Sequence, residues 1–415
     1  MKTVQVARRF TRRAWGGTET VVLETSRRLL ARGHGAEIFC AGALDATPRD
    51  AVGGVAVRRF PYFYPYLGLT GDARSRLDRV GGNLFSFGLL RALLSEPGLD
   101  LLHLHTGKRL GGIVRTAARL RGVPYVVTLH GGVHDVPDEE ARRWTEPTAG
   151  ALEWGRALGW AVGARRVLDD ASAILCVGEA EQRLTQQRHP RVPVLHLPNG
   201  VTPEAFATGD AAAFRSRLGL DAADELLLVV GRVDPQKNQR LAIDVAAELG
   251  SSRPRLHLAI VGPVTNEAYR AELGEQVRER GVAHRVHFLD GLAPASPELA
   301  GAYHAADLVL VPSVHEPFGI VILEAWASAR AVVASRVGGV PGLVDDARDG
   351  VLLEAKEVRA WTATVRQLLD APERRASLAA DGKAKAVTRY SWDRITDRLT
   401  SVYESARRGR IGRAA

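Results

Sequence analysis

From Pro312 to Ala325 the chain reads P-S-V-H-E-P-F-G-I-V-I-L-E-A. The apolar run before it, Asp307–Val311 (D-L-V-L-V), has the pattern of a strand buried on both faces, as in a parallel sheet. Pro317 and Gly319 interrupt the chain, and the apolar period then predicts a helix over Gly319–Ser328. Glu316 falls in the strand-to-helix loop, and Glu324 falls one or two turns into the helix. Around Phe318–Val321 the helix N-terminus leaves backbone N–H groups unpaired and carries about half a positive charge, which favours an anion. A carboxylate oxygen accepts two hydroxyls at once, so this loop and helix suit a sugar held beside a phosphate. Taken singly, each glutamate fits a solvated surface position equally well.

The same alternation continues on both sides. Strands are predicted at Glu225–Val230, Leu256–Val261, Val286–Leu289, Leu308–Val311, Ala331–Ala334 and Gly350–Leu353. Helices are predicted at Arg240–Leu249, Asn266–Arg280 and Glu298–His304, which makes a parallel sheet covered by helices. Towards the N-terminus the strands are Thr3–Ala7, Ala36–Ala41, Val55–Phe60, Leu99–His105, Tyr125–Leu129, Ala173–Val177 and Pro193–Leu197. A helix over Glu19–Ala31 is capped by Thr18 and closed by Gly33, another runs through Leu152–Leu168, and 133–150 reads as an irregular loop. A chain of 415 residues exceeds one ordinary core, and the pattern restarts after a hinge near 196–210. The domains are therefore 1–198, 199–390 and a terminal segment 391–415, in which Tyr390-Ser391-Trp392 precedes a helix over Asp393–Ala406.

Basic charge is almost all arginine, with lysine only at Lys2, Lys108, Lys237, Lys356, Lys383 and Lys385. A net charge of +9 suits acidic ligands or an anionic surface, though Arg407, Arg408, Arg410 and Arg413 supply four of those charges. No basic-aromatic platform or groove-reading motif points to nucleic acid. Cys40 and Cys176 sit in apolar runs without metal spacing and read as buried reduced thiols. No signal-like or membrane-spanning stretch of about 18 apolar residues occurs, so a cytoplasmic location is expected. Pro61–Leu69, aromatic and proline-rich, reads as a loop over the core, an acceptor wall or a lip for peripheral membrane contact.

Chemistry collects at strand ends. After Thr3–Ala7 come Arg8, Arg9, Arg12 and Arg13 and then Gly16-Gly17-Thr18-Glu19, whose glycines allow a ligand close to the backbone. His105 ends one strand and His130 follows another, positions where open parallel sheets bind ligands. After Glu225–Val230 comes Gly231-Arg232-Val233-Asp234-Pro235-Gln236-Lys237-Asn238, where Arg232 offers a planar fork and Lys237 a point charge for a diphosphate.

Gly16–Glu19, His130, Pro198-Asn199-Gly200-Val201, Gly231-Arg232 with Lys237-Asn238, and the E-x7-E of Glu316 and Glu324 together resemble the GT-B-fold retaining glycosyltransferases of family 4. The resemblance covers nearly the whole chain. It implies an α/β fold of two Rossmann-like parallel-sheet domains facing across a cleft, the acceptor mainly in the first and the nucleotide-sugar donor in the second. It implies that Arg232 and Lys237 bind the donor diphosphate, Glu324 the ribose and Glu316 the sugar, with the Gly319 and Ile320 amides nearby. His130 would lie against the transferred sugar, Gly17 would admit the donor, and Arg12, Arg13 and His105 are the acceptor-side candidates. No metal or cofactor is expected. The donor is a UDP-sugar on breadth of usage among similar proteins, with GDP-mannose open. The acceptor is a small molecule, a glycan or a lipid-linked sugar. Where the family usually reads G-G-x-P-E, this chain has Gly338-Gly339-Val340-Pro341-Gly342. Two rivals stand beside the transferase: a same-fold phosphorylase or nucleotide-sugar hydrolase or epimerase, and a non-catalytic nucleotide-sugar-binding protein.

Overall fold

The computed structural model describes residues 1–12, 15–131 and 146–409, and structural statements below concern these residues. Arg13 and most of the 133–150 loop lie outside them. The chain divides into two compact units, Met1–Pro198 with Trp392–Ala415, and Asn199–Ser391.

The first unit contains strands β1 (Lys2–Ala7), β2 (Gly35–Ala41), β3 (Arg49–Val52), β4 (Val55–Phe60), β5 (Tyr66–Leu67), β6 (Leu101–Leu104), β7 (Tyr125–Leu129), β8 (Leu152–Glu153), β9 (Ala173–Cys176) and β10 (Val194–His196). Eight form one sheet in the order β10-β9-β7-β6-β1-β2-β4-β3, parallel except for the β3–β4 hairpin, while β5 and β8 make a separate antiparallel ribbon. The apolar runs explain the parallel pairing, because β6, β7 and β9 are buried along their whole length. One face packs Val4, Val6, Leu102, Leu104 and Val127 against helices Phe87–Ser95 and Lys108–Arg121. The other face packs Leu101, Val126 and Leu175 against Trp392, Ile395, Leu399 and Tyr403 of the last helix, Trp392–Arg407. Arg32 ties that helix to helix Gly17–Ala31 through Asp397 at 2.8 Å and Asp393 at 3.1 Å.

The second unit has six parallel strands, β11 (Glu225–Val230), β12 (Leu256–Val261), β13 (Val286–Leu289), β14 (Leu308–Val311), β15 (Val332–Ser335) and β16 (Val351–Leu353). Their order is β13-β12-β11-β14-β15-β16. The direction of winding reverses between β11 and β14, and ligands of such sheets bind in the crevice beyond the strand C-termini at that point. In the first unit the corresponding reversal lies between β1 and β6.

Two local expectations need correction. The helix through Leu152–Leu168 is replaced by β8, a short helix Arg156–Ala161 and a 3-10 turn at Ala164–Arg166. Gly155, Gly159 and Gly163 weaken a helix there, Gly163 adopts φ +62°, and a Cβ on Gly155 would stand 2.2 Å from Pro65 Cγ. Helix Gly17–Ala31 starts one residue before Thr18, so Gly16, which has no capping side chain, is its N-cap. Helices Gly71–Val80, Val358–Asp370 and Pro372–Arg389 and strand β3 lie where the sequence reading assigned no element. Cys40 and Cys176 are both buried free thiols.

Candidate functional site

In the second unit, the loop after β11 and the loop after β14 meet at the strand-order reversal. Asp234 caps the 3-10 turn Pro235–Lys237 by accepting from the Gln236 N–H at 3.0 Å. Asn238 follows in the left-handed conformation (φ +51°), which asparagine tolerates better than most residues. Its amide donates to the Pro312 carbonyl at 3.0 Å and the Ala355 carbonyl at 3.1 Å, pinning the turn to the end of β14. The Val314 N–H donates to the Gln236 carbonyl at 2.9 Å, and the Gln236 amide donates to the His315 carbonyl at 3.2 Å. This lacing delivers Lys237 to Glu316, with Nζ 2.5 Å from Oε2, and Ser313 Oγ donates to the same oxygen at 3.2 Å. The Glu316 side chain is only 9% exposed, so the pair is mostly out of bulk water. Arg232 is exposed beside it, held loosely by Gln236 Oε1 at 3.2 Å.

Glycines shape the other wall. Gly319, at φ +98°, ends the loop and is the N-cap of helix Ile320–Ala327. Gly338 and Gly339 turn directly against Glu316 and Pro317. A Cβ on Gly338 would lie 2.2 Å from the Glu316 carbonyl oxygen, one on Gly339 would lie 2.1 Å from that of Pro317, and the Gly339 N–H donates to the Glu316 carbonyl at 2.9 Å. The Gly338-Gly339 pair thus fixes where the glutamate loop sits. Gly342, where similar proteins carry a glutamate, is exposed, and nothing lies within 4 Å of its Cβ direction. Glu324 is partly buried and accepts from the Tyr303 hydroxyl at 2.7 Å. Burial pushes its pKa up to about 7, against the hydrogen bond from Tyr303, which lowers it.

In the first unit, Gly16-Gly17, His105 and His130 follow β1, β6 and β7, three adjacent strands. Gln5 on β1 donates from Nε2 to the Tyr403 hydroxyl at 3.1 Å, while its Oε1 lies 2.9 Å from His105 Nε2. An amide oxygen only accepts, so His105 Nε2 carries the proton and its Nδ1 accepts from His130 Nε2, 3.0 Å away. Burial holds His130 neutral by pushing its pKa down to about 4, which leaves its Nδ1 as an acceptor for a hydroxyl. The Tyr403 hydroxyl also lies 2.5 Å from His103 Nδ1, and His103 Nε2 lies 2.7 Å from Thr128 Oγ1. A tyrosine on the last helix is thus joined to His103 directly and, through Gln5, to His105 and His130 after β6 and β7.

Arg8 and Arg9 donate to the Asp78 carbonyl, both at 2.8 Å, so they cap the end of helix Gly71–Val80. Arg12 reaches the Ala51 carbonyl on β3 at 3.5 Å, on the far side of β1 from His105, so the structure does not bring Arg12 and His105 together. Lys108, absent from the sequence candidates, is exposed at the start of helix Lys108–Arg121, close behind His105. Tyr303, Gln5 and Tyr403 were also missed. Their partners are remote in sequence and only the fold joins them, whereas the Gly338-Gly339 pair stood in plain view. Among the described residues no group of three or more His, Cys, Asp or Glu could hold a metal ion.

Two doubly wound parallel sheets, with a cation-carboxylate pair at one reversal point and a glycine-histidine group after the strands of the other, give the architecture of GT-B glycosyltransferases. Family models agree: that described as glycosyl transferases group 1 matches residues 210–385, and the glycosyl transferase 4-like domain matches residues 16–200. The D-inositol 3-phosphate glycosyltransferase of Thermobispora bispora is 34% identical over 410 residues, covering 94% of this chain and 90% of the relative. That of Stackebrandtia nassauensis is 32% identical over 413 residues, covering 94% and 87%. The crystal structure of Anabaena HepE in complex with UDP-glucose superposes with a TM-score of 0.72 at 20% identity, covering 98% of this chain and all (100%) of that one. The chain belongs to the glycosyl transferases of group 1 and has their GT-B fold.

Proposed function

We propose that the protein is a retaining hexosyltransferase that moves a hexose from a UDP-sugar to a hydroxyl of an inositol phosphate, without a metal. The observation that carries the donor site is the 2.5 Å contact between Lys237 and Glu316 at the reversal between β11 and β14. In this reading Lys237 and Arg232 take the donor diphosphate, and Lys237 leaves Glu316 free to accept a sugar hydroxyl. The Gly319 and Ile320 amides lie near the sugar or phosphate, and Glu324 chelates the ribose diol. His130 accepts a sugar hydroxyl at Nδ1, and Gly17 admits the donor to the first unit.

The bond from the anomeric carbon to the UDP oxygen breaks as the bond to the acceptor oxygen forms on the same face. The departing phosphate oxygen receives the acceptor proton, so no enzymic base is required. Neutralising that leaving group by fixed cations lowers the barrier by on the order of a few kcal/mol. UDP is supported by the ligand of the HepE structure. An inositol phosphate is supported by the names of the relatives, and by Lys108, an exposed cation after a strand end of the first unit.

Calorimetric titration with UDP, GDP and ADP, with and without Mg²⁺, tests the donor half. Selective, Mg²⁺-independent binding of UDP that weakens in Glu324→Ala is expected. Selective binding of GDP would move the donor to GDP-mannose, and binding of no nucleotide by folded protein would favour a non-catalytic scaffold.

A further inference from the structure

A face of the first unit that the transfer reaction does not use is built around the β5–β8 ribbon. Leu67 and Leu152 pair across the ribbon and are 60% and 67% exposed, and Trp154 beside them is 46% exposed. Phe63 stacks between Trp154 and Phe87, 5.9 Å from each ring, and Phe87 is 61% exposed at the start of helix Phe87–Ser95. These rings and leucines are not a loosely hung loop. The Trp154 and Gly155 N–H groups both donate to the Pro65 carbonyl, at 3.2 and 3.3 Å. Buried Arg109 donates to the Gly155 carbonyl at 2.9 Å and to the Asn83 carbonyl at 2.7 Å, and it also pairs with Glu153. A contiguous apolar face held rigidly in water marks a surface made for contact.

The charge around the face selects its partner. Arg91, one turn after Phe87, is exposed, and among the described residues no carboxylate lies within ion-pair reach of it. Arg156 is exposed beside Trp154, 3.7 Å from a Glu153 that Arg109 already neutralises. Arg74 lies over the Tyr62 ring at 5.4 Å. Of the nearby acids among the described residues, Glu146 is paired with Arg76 at 3.1 Å and Asp78 accepts the Tyr62 and Tyr64 hydroxyls, which leaves Asp72 exposed. The chain as a whole carries +9. Indole and phenyl rings with an arginine rim match the boundary between headgroups and acyl chains, and the net charge is drawn to an anionic leaflet. No helix among the described residues is long and apolar enough to cross a membrane, so any membrane contact through them is peripheral.

We propose that this face docks the protein on an anionic bilayer. Phe87, Trp154, Leu67 and Leu152 enter the interface, and Arg91, Arg74 and Arg156 meet lipid phosphates. Since Arg109 belongs to the helix that follows His105, docking holds the strand ends of the first unit near the lipid surface.

Co-sedimentation of the full chain with vesicles of phosphatidylcholine, alone or with about one-third phosphatidylglycerol, tests this. Wild type is expected to bind the anionic vesicles at least about tenfold more tightly than the neutral ones. Phe87→Ser with Trp154→Ser should lose at least about tenfold on anionic vesicles, and Arg91→Glu with Arg156→Glu should lose the preference for anionic lipid. Leu67→Gln with Leu152→Gln repeats the apolar test should the aromatic variant fail to fold, and an unchanged circular dichroism spectrum and melting profile certify folding in each case. No binding by wild type, or equal binding by wild type and the apolar variants, would overturn the proposal. So would concentration-dependent dimerisation that the apolar substitutions abolish without any vesicle binding, because the face would then join two copies of the chain.

Discussion

Glu324 faces two opposed demands. Burial raises its pKa to about 7, yet accepting a ribose diol requires the ionised carboxylate. With that pKa about one carboxyl in eleven is ionised at pH 6 and about ten in eleven at pH 8, so UDP affinity should rise about tenfold across that span. Calorimetry at several pH values checks this, and Glu324→Gln is expected to bind more weakly with a flat profile. Stability runs the other way. A carboxyl whose folded pKa exceeds its unfolded value contributes stability that is fully present below the unfolded value of 4.5 and is lost as pH rises through about 7. Glu324→Gln should therefore melt higher than wild type at pH 8 and nearly level with it at pH 5, as scanning calorimetry would show. Lys237 makes a second test. Lys237→Ala leaves Glu316 without its cation, and we expect kcat to fall about a hundred- to a thousandfold, with weaker UDP binding. Steady-state rates beside a UDP titration measure both. Glu316, Glu324 and Lys237 were legible as candidates, their donor roles only as what the family resemblance implies. The Tyr303 contact was not, because no local pattern ties position 303 to position 324.

Strand-to-loop junctions carry the site. The alternation of apolar strand and helix was readable because a parallel sheet buries whole runs, which leaves little ambiguity in Leu308–Val311 or Glu225–Val230. Reading failed at Leu152–Leu168, where glycines every fourth residue kept a helical period that Gly163 and the Pro65 contact at Gly155 override. The Gly338-Gly339 turn was visible as a motif, but its purpose was not, since only the fold lays it against Glu316. Gly338→Ala tests it: the added Cβ would overlap the Glu316 carbonyl at a positive φ, so the loop must move. Activity is expected to fall about a hundredfold or more while the melting temperature changes modestly, since a misplacement of 1 Å costs that much. Kinetics together with a melt separate the two effects. In the first unit, the last helix bears on the histidine group through Tyr403. Tyr403→Phe leaves Gln5 and His103 short of a partner and should destabilise by about 1–3 kcal/mol. It also frees Gln5, so the His130 proton should redistribute between its nitrogens, as ¹⁵N spectra of the imidazole would report.

At the scale of the whole molecule, two β-α sheets were foreseeable from length and from the restart of the pattern, and each sheet places its candidate residues at its own strand-order reversal. Acceptor identity is the least legible property, because Arg8 and Arg9, read as part of an arginine cluster after the first strand, are occupied with helix carbonyls, and Lys108 was not among the site candidates. The central claim is retaining transfer from a UDP-hexose. It is tested most directly by incubating the protein with a panel of UDP- and GDP-hexoses and D-inositol 3-phosphate and reading the anomeric configuration of the product by NMR. The account predicts a glycoside of unchanged anomeric configuration, formed from a UDP-sugar and lost in Lys237→Ala. An inverted product, release of free hexose, or turnover that requires inorganic phosphate would contradict it.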